Sequence, residues 1–156
     1  MKGNPKMIER LNARLSDELT AINQYIVHAE ICENWGYSKL HDMAKKRAID
    51  EMKHAEMHIA RILFLEGMPI VSKLNAINIG KDIPLQHAND KVAEDTAVAD
   101  YNEDIRFATE IGDNGTREML ESILKDEEAH LDQLEVHISQ LEQLGVQHYL
   151  SEQRSW

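Results

Sequence analysis

Two short segments of the chain carry the same arrangement of acidic residues and a histidine. Asp50–His54 and Asp126–His130 both read D-E-x-x-H, and they stand 76 positions apart. A glutamate 33 positions before the glutamate of each box, and a tyrosine seven positions after that first glutamate, repeat with the same offset. The repeated pairs are Glu18 and Glu94, Tyr25 and Tyr101, Glu51 and Glu127, and His54 and His130. Because one half-site occurs twice, the sequence predicts a two-metal centre between two helical hairpins.

The spacing of these residues suits metal binding by helices. A glutamate and a histidine three positions on project from the same face, so both can reach one ion. Each glutamate lies in an apolar stripe, and no lysine or arginine is expected beside it on that stripe. A buried ionised carboxylate costs several kcal/mol, so the four acids must be protonated or hold cations. Two divalent ions would offset four carboxylates, and one imidazole per metal among carboxylates favours Fe²⁺ or Mn²⁺.

The elements that must position these residues are long helices. Apolar residues at three- and four-residue steps predict four of them and no strand, with Ser38 and Thr116 as expected N-caps. The connection over about residues 67–81 is long for neighbouring helices, which predicts a crossover between two hairpins. The fold is therefore a single all-α domain, 1–156, a four-helix bundle with a short fifth helix. The predicted helices span 5–34, 39–65, Asp82 or Pro84 to 111, 117–144 and 146–153.

Composition narrows the class of protein. The 156 residues have a formal net charge of −11, which disfavours nucleic acid and anionic membranes as partners and suits a protein that gathers cations. Cys32 is the single cysteine, which fits a reducing compartment and excludes an internal disulfide. The sequence has no apolar signal segment and no apolar run of membrane-spanning length. We therefore expect a cytoplasmic protein.

Seven runs of the sequence match the pattern of one known family. They are Met1–Gly3, Glu18–Tyr25, Asn34–Gly36, Asp50–Ala55, Arg61–Gly67, Asn78–Gly80 and Leu124–His130. Through them the chain resembles the bacterioferritins over nearly its whole length, which implies a ferritin-like bundle. The resemblance implies a ferroxidase that oxidises Fe²⁺ to Fe³⁺ with O₂ or H₂O₂ and stores ferric mineral in a homo-oligomeric shell of 24 subunits. The implied di-iron ligands are Glu18, Glu51, His54, Glu94, Glu127 and His130, with Glu51 and Glu127 bridging the two ions.

The two boxes differ at position 52, where Met52 corresponds to Glu128. Spacing alone favours an apolar subunit contact, because Met52 points about 100° away from the metal face. The resemblance implies instead that Met52 from each of two subunits on a two-fold axis ligates one shared haem b. This haem would pass electrons inward for iron release, with a ferredoxin-type protein as the candidate donor. Candidates to line the haem pocket are Leu19, Ile22, Asn23 and Ile26.

The two repeated tyrosines follow their glutamates by two helical turns. We expect Tyr25 to hydrogen-bond Glu94 and Tyr101 to hydrogen-bond Glu18, each from the opposite hairpin; the alternative is that both rings fill the core. Tyr25 is also a candidate electron donor during oxidation. The remaining histidines lack paired spacing and are interpreted as surface or core residues.

Two further features leave the function open. Some family members carry a histidine at position 46 that holds inner-surface iron together with Asp50, but here the residue is Lys46, so that site is doubtful. A non-storing di-iron reductase of oxygen or peroxide, and a haem-mediated electron-transfer assembly, are the alternatives to iron storage. A reductase of the rubrerythrin kind usually has a Cys₄ iron domain, which a single cysteine disfavours.

Overall fold

The computed structural model describes residues 1–155 and consists of four long helices and one short helix. The five helices are α1 (Pro5–Asn34), α2 (Ser38–Phe64), α3 (Ile83–Glu110), α4 (Asn114–Leu144) and α5 (Val146–Ser151). No strand occurs in this part of the chain. The predicted all-α bundle with a crossover and a short fifth helix is confirmed, and the helix boundaries agree with prediction to within about three residues.

Side-chain caps mark where three of the long helices begin. Asn4 accepts from the backbone N–H groups of Lys6 and Met7, and Asp82 accepts from Leu85. These carboxylate and amide oxygens satisfy N–H groups that have no partner within the first helical turn. At α4 the cap is Asp113, which accepts from the N–H of Thr116.

Both predicted N-caps were wrong. Thr116 lies inside the first turn of α4, because Asp113 starts the helix three residues earlier. Ser38 is the first residue of α2 rather than its cap, and its hydroxyl accepts from the backbone N–H of Ser155 instead. Asp113 caps α4 through a local contact, and Tyr37, which precedes α2, makes no side-chain cap bond.

The chain forms two antiparallel hairpins, in which α1 packs on α2 and α3 packs on α4. Residues 65–82, here called the linker, connect α2 to α3 and run alongside α1. Four of its backbone N–H groups donate to α1 side chains: Ile70 to Asn12, Asn75 to Thr20, Asn78 to Gln24 and Gly80 to His28. Gly80 is required at its position, since a Cβ there would lie 2.3 Å from the backbone nitrogen of Gln86.

Apolar side chains fill the bundle on either side of a polar middle. The larger cluster includes Leu11, Leu15, Ile62 and Leu120, all fully buried. A second cluster at the far end includes Cys32 and Tyr149 of α5, so Cys32 is a buried core residue as its type suggests. Within residues 1–155 no helix has both the length and the apolar content that a membrane crossing needs.

Candidate metal centre

The four repeated glutamates and two repeated histidines meet in the middle of the bundle. They form two overlapping groups whose ligand atoms lie within 4.8 Å of one another: Glu18, Glu51, His54 and Glu127, and Glu51, Glu94, Glu127 and His130. All six side chains are buried, and each of the four long helices contributes at least one of them. Two residues, Glu51 and Glu127, belong to both groups.

The distances within the centre place each imidazole against three carboxylates. His54 Nδ1 lies 3.1 Å from Glu127 Oε1, 3.3 Å from Glu51 Oε1 and 3.6 Å from Glu18 Oε2. His130 Nδ1 lies 3.4 Å from the Oε1 atoms of both Glu51 and Glu94, and 3.6 Å from Glu127 Oε1. Glu51 and Glu127 thus face both histidines, which is the arrangement a bridging carboxylate requires.

The aspartates of the two boxes orient the two histidines crosswise. His54 Nε2 lies 2.8 Å from Asp126 Oδ2, and His130 Nε2 lies 2.8 Å from Asp50 Oδ2. Each aspartate accepts a hydrogen bond from the Nε2–H and leaves Nδ1 facing the carboxylates, as outer-shell partners of metal-bound histidines do. Sequence reasoning gave these aspartates no such role, although the repetition of Asp before Glu in both boxes was the available signal.

One atom of each of the six side chains is buried without a hydrogen-bond partner. These atoms are Glu18 Oε2, Glu51 Oε1, His54 Nδ1, Glu94 Oε2, Glu127 Oε1 and His130 Nδ1. Buried polar atoms nearly always have a partner, so six unsatisfied atoms pointing into one space indicate that a ligand completes them. A set of four carboxylates and two imidazoles fits a pair of Fe²⁺ or Mn²⁺ ions.

The pKa shifts in the centre also indicate that bound cations complete it. Burial raises the pKa of Glu51 and of Glu127 well above the ordinary value, and neighbouring carboxylates raise it further. Burial opposes ionisation of Glu18 as well, but contacts with His54, Glu51 and His58 together outweigh that effect and lower the pKa of Glu18. Carboxylate contacts likewise raise the pKa of His54 and of His130 despite burial. Without metal, protons on these side chains therefore balance the negative charge of the carboxylates, and divalent ions would have to displace those protons to bind.

The predicted tyrosine contacts are confirmed. The hydroxyl of Tyr25 donates to Glu94 Oε1 at 2.6 Å, and that of Tyr101 donates to Glu18 Oε1 at 2.5 Å. Each bond joins the two hairpins and occupies one oxygen of a glutamate, which leaves Oε2 of both residues free for a ligand.

A buried arginine near the centre was not expected. Arg47 on α2 is 2% exposed, and its guanidinium carbon lies 4.6 Å from the centre of the Tyr25 ring. The expectation that no basic side chain lies beside the acids was therefore wrong in part. Arg47 does not neutralise the glutamates, however, because Nη1 pairs with Asp90 Oδ2 at 3.1 Å.

A cavity leads to the centre between α1, α3 and the linker. Its volume is about 350 Å³, and it reaches Glu18, Glu51 and Glu127. Asp17 and Asn75, which hydrogen-bond each other at 2.6 Å, also line it. Space for a small oxidant therefore exists on this side of the carboxylates.

Comparison with known proteins identifies the family. The Ferritin-like domain model matches residues 8–144. Bacterioferritin of Rhodobacter capsulatus is 44% identical over 147 residues, which are 94% of this chain and 91% of that protein. Bacterioferritin of Brucella melitensis is 37% identical over 149 residues, covering 96% and 92% respectively. The chain belongs to the bacterioferritin family.

Comparison of tertiary structures places the chain in the same family. A solved structure of R. capsulatus bacterioferritin superposes with a TM-score of 0.98 and 41% identity, covering 100% of this chain and 98% of that one. That structure is described as having a metal-free dinuclear site and a haem iron in a crystallographic special position. The family membership makes this chain an iron-storage protein with ferroxidase activity, as the resemblance implied.

Met52, the predicted haem ligand, lies outside the metal centre. Its side chain is 46% exposed on the outer face of α2, as its position in the helix predicted. Ile26 and Asn23 are exposed on α1, whereas Leu19 and Ile22 are half-buried. Lys46 also points outward, and its Nζ pairs with Asp50 Oδ2 at 3.0 Å.

Proposed function

We propose that the six converging side chains bind two iron ions, with Glu51 and Glu127 as bridging ligands. The observation that carries this proposal is the set of six buried ligand atoms without partners, one on each of those residues. Fe²⁺ is the substrate, and the bound pair of ions supplies one electron each to O₂ or H₂O₂. Carboxylates favour the harder ferric ion, which drives the oxidation forward.

The protein's own groups hold the geometry for this reaction. By accepting from Nε2–H, Asp126 and Asp50 hold one proton of His54 and of His130 on that nitrogen, so that Nδ1 is the nitrogen that would bind metal. The hydroxyls of Tyr25 and Tyr101 fix one oxygen of Glu94 and of Glu18. Burial of all six side chains lowers the local dielectric constant, which strengthens the attraction between carboxylates and metal ions.

Tyr25 is the candidate residue for a further electron. Its ring lies against Arg47 and its hydroxyl lies on Glu94, so it stands beside one of the proposed metal ligands. Replacement by phenylalanine should keep the ring and its packing but slow iron oxidation, because both the bond to Glu94 and an oxidisable phenol are lost. Tyr37→Phe, which leaves the centre untouched, is the control.

Stopped-flow oxidation of Fe²⁺ tests the ligand set. We expect a fast phase that saturates at two Fe²⁺ per chain and that Glu94→Ala removes. The control Glu103→Ala deletes an exposed carboxylate of the same helix, 60% exposed, and should keep the fast phase. A Glu94→Ala protein that retains a fast phase of two Fe²⁺ per chain would reject the ligand set.

We further infer that Met52 binds haem b at a two-fold contact between subunits. Support comes from its exposure on α2 and from the haem iron of the R. capsulatus relative, since an atom on a special position coincides with a symmetry element. Met52→Leu should lose haem absorption while keeping its size in solution. The control is Met68→Leu, which alters a linker methionine that is 76% exposed.

We propose that the storage shell has 24 subunits and acts in the cytoplasm. A ferredoxin-type protein is the proposed source of electrons for iron release. Size-exclusion chromatography combined with an iron count separates this function from its two alternatives. A shell with hundreds of irons is expected, whereas a small dimer holding two irons per chain would indicate a non-storing reductase, and a haem protein without a fast iron phase would indicate an electron-transfer assembly.

A further inference from the structure

A fully buried histidine stands behind one ligand of the metal centre. His58 lies one turn after His54 on α2, and its Nε2 is 2.7 Å from the hydroxyl oxygen of Tyr101. That hydroxyl is in turn 2.5 Å from Glu18 Oε1. The imidazole and phenol rings are nearly parallel, at 11°. His58 Nδ1 is buried without a hydrogen-bond partner.

The number of protons fixes the direction of both hydrogen bonds. A tyrosine hydroxyl has one proton to donate, and an ionised Glu18 can only accept. Tyr101 therefore donates to Glu18, and its oxygen accepts from the Nε2–H of His58. Burial lowers the pKa of His58 to about 4, so the ring is neutral near pH 7 and carries a single proton. The unpartnered Nδ1 is then the bare nitrogen of the ring.

The other half of the centre lacks this histidine. Tyr25 donates to Glu94 in the same way. The residue that corresponds to His58, 76 positions later, is the apolar, buried Leu134. The guanidinium of Arg47 lies over the Tyr25 ring instead. Two half-sites with the same ligand types therefore have different support: a neutral hydrogen-bond donor behind Tyr101 and a cation against Tyr25.

We propose that His58 is a positioning residue that strengthens metal binding at the half-site of Glu18 and His54 only. By donating to Tyr101, it commits the hydroxyl proton to Glu18 Oε1 and leaves Oε2 free to bind the ion. The two half-sites consequently differ in affinity. This inference rests on the proposed ligand set. It adds a structural cause for a difference in metal affinity between two half-sites that have the same ligand types.

Calorimetric titration of the assembled protein with Co²⁺ in the absence of oxygen tests this role without iron oxidation. His58→Leu removes the donor, and one of the two tightest binding steps should weaken by about tenfold or more, as the loss of outer-shell partners usually causes. The other step should stay within about threefold of wild type, because its ligands keep their support. His58→Gln, which keeps an N–H donor, should restore most of the lost affinity.

A second buried histidine provides a matched control. His87 Nε2 lies 2.8 Å from the hydroxyl oxygen of Tyr149, a contact of the same kind outside the metal centre. His87→Leu should therefore bind Co²⁺ like wild type. If His58→Leu does not fold, Tyr101→Phe must show the same one-step loss.

Four results would overturn the role of His58: unchanged binding in His58→Leu or in Tyr101→Phe, equal weakening of both steps, no restoration by His58→Gln, or the same loss in His87→Leu. A wild-type protein that binds no pair of Co²⁺ ions would instead reject the proposed ligand set itself.

Discussion

At the scale of single residues, each D-E-x-x-H box orients the histidine of the other. The aspartate of one box accepts from the histidine of the other, at 2.8 Å in both directions. The two contacts are not equivalent, because Asp50 also pairs with Lys46 whereas Asp126 is 57% exposed. Both contacts fix the tautomer and the ring orientation on which metal binding through Nδ1 depends.

Removal of Asp126 should weaken metal binding by the half-site of His54. We expect Asp126→Ala to lower Co²⁺ affinity at one site by about 10–100-fold, because the imidazole loses its orienting acceptor. Glu128→Ala removes an exposed carboxylate two residues away and should leave affinity unchanged. Calorimetry measures both, and equal affinities in Asp126→Ala and wild type would contradict the orienting role.

At the scale of elements, Asp90 on α3 joins three helices and the linker. Its Oδ1 accepts from Gln24 Nε2 at 2.8 Å and contacts His28 Nδ1 at 2.9 Å, while Oδ2 accepts from Arg47. His28 in turn accepts from the backbone N–H of Gly80. The network contains charges of both signs and is almost fully buried, so its members depend on one another.

Loss of Arg47 alone should cost more than loss of the whole ion pair. We expect Arg47→Met to reduce the free energy of unfolding by about 3–5 kcal/mol, since Asp90 would remain buried without its counter-charge. The double variant Arg47→Met/Asp90→Leu should lose less than Arg47→Met. Denaturant unfolding measures both. Arg106→Met, which breaks an exposed pair with Glu103, should cost no more than about 1 kcal/mol.

The docking of α5 makes stability depend on pH. Burial lowers the pKa of His87 to about 3, and its ring contacts Tyr149 of α5. The folded pKa lies below the unfolded value, so between about pH 6.5 and 3 the unfolded chain binds a proton that the folded chain does not. Stability should therefore fall on acidification by up to about 1.4 kcal/mol per pH unit through this residue. The other titratable groups around His87 are His28, Arg47, Asp90, His137 and Tyr149.

Unfolding of His87→Leu between pH 6.5 and 4.5 checks this expectation. In the variant, unfolding should take up about one proton fewer than in wild type. The plot of unfolding free energy against pH should therefore have a shallower slope. The window avoids the titration of Asp90, whose pKa is lowered from 3.8. An unchanged slope would mean that another group causes the acid sensitivity.

At the scale of the whole molecule, the subunit combines a strong negative charge with exposed apolar surface. The net charge of −11 favours attraction of Fe²⁺ to the protein. Several linker side chains are large, apolar and at least 38% exposed, which suits burial between subunits of a shell. They are Met68, Ile70, Val71, Leu74, Ile77 and Ile79.

Metal should stabilise the wild-type subunit and not a variant without a bridging ligand. Free Co²⁺ at 100 times its dissociation constant should add about 2.7 kcal/mol per site to the free energy of unfolding. Glu51→Ala should lose this gain, and without metal it should be more stable than wild type, because one buried carboxylate is gone. Thermal unfolding with and without Co²⁺ measures both effects. An equal metal-dependent gain in the two proteins would contradict a bridging role for Glu51.

The sequence by itself determined the helices, the crossover and the identity of the converging residues. Helical periodicity is local, so α1 was predicted over Pro5–Asn34 as observed. The 76-residue repeat identified all six side chains that meet in the bundle, because a duplicated half-site leaves a duplicated pattern. Their role as iron ligands remains a prediction.

Only the tertiary structure decided which groups support that centre. Arg47, Asp90 and His58 follow no repeat, since their partners lie on other helices and depend on how the hairpins dock. The crosswise pairing of Asp50 and Asp126 also depends on packing, because periodicity gives the face of a residue and not its contact across the bundle. Contacts between helices were predicted only for the two tyrosines and their glutamates in the repeat, and the other contacts require the relative positions of the helices.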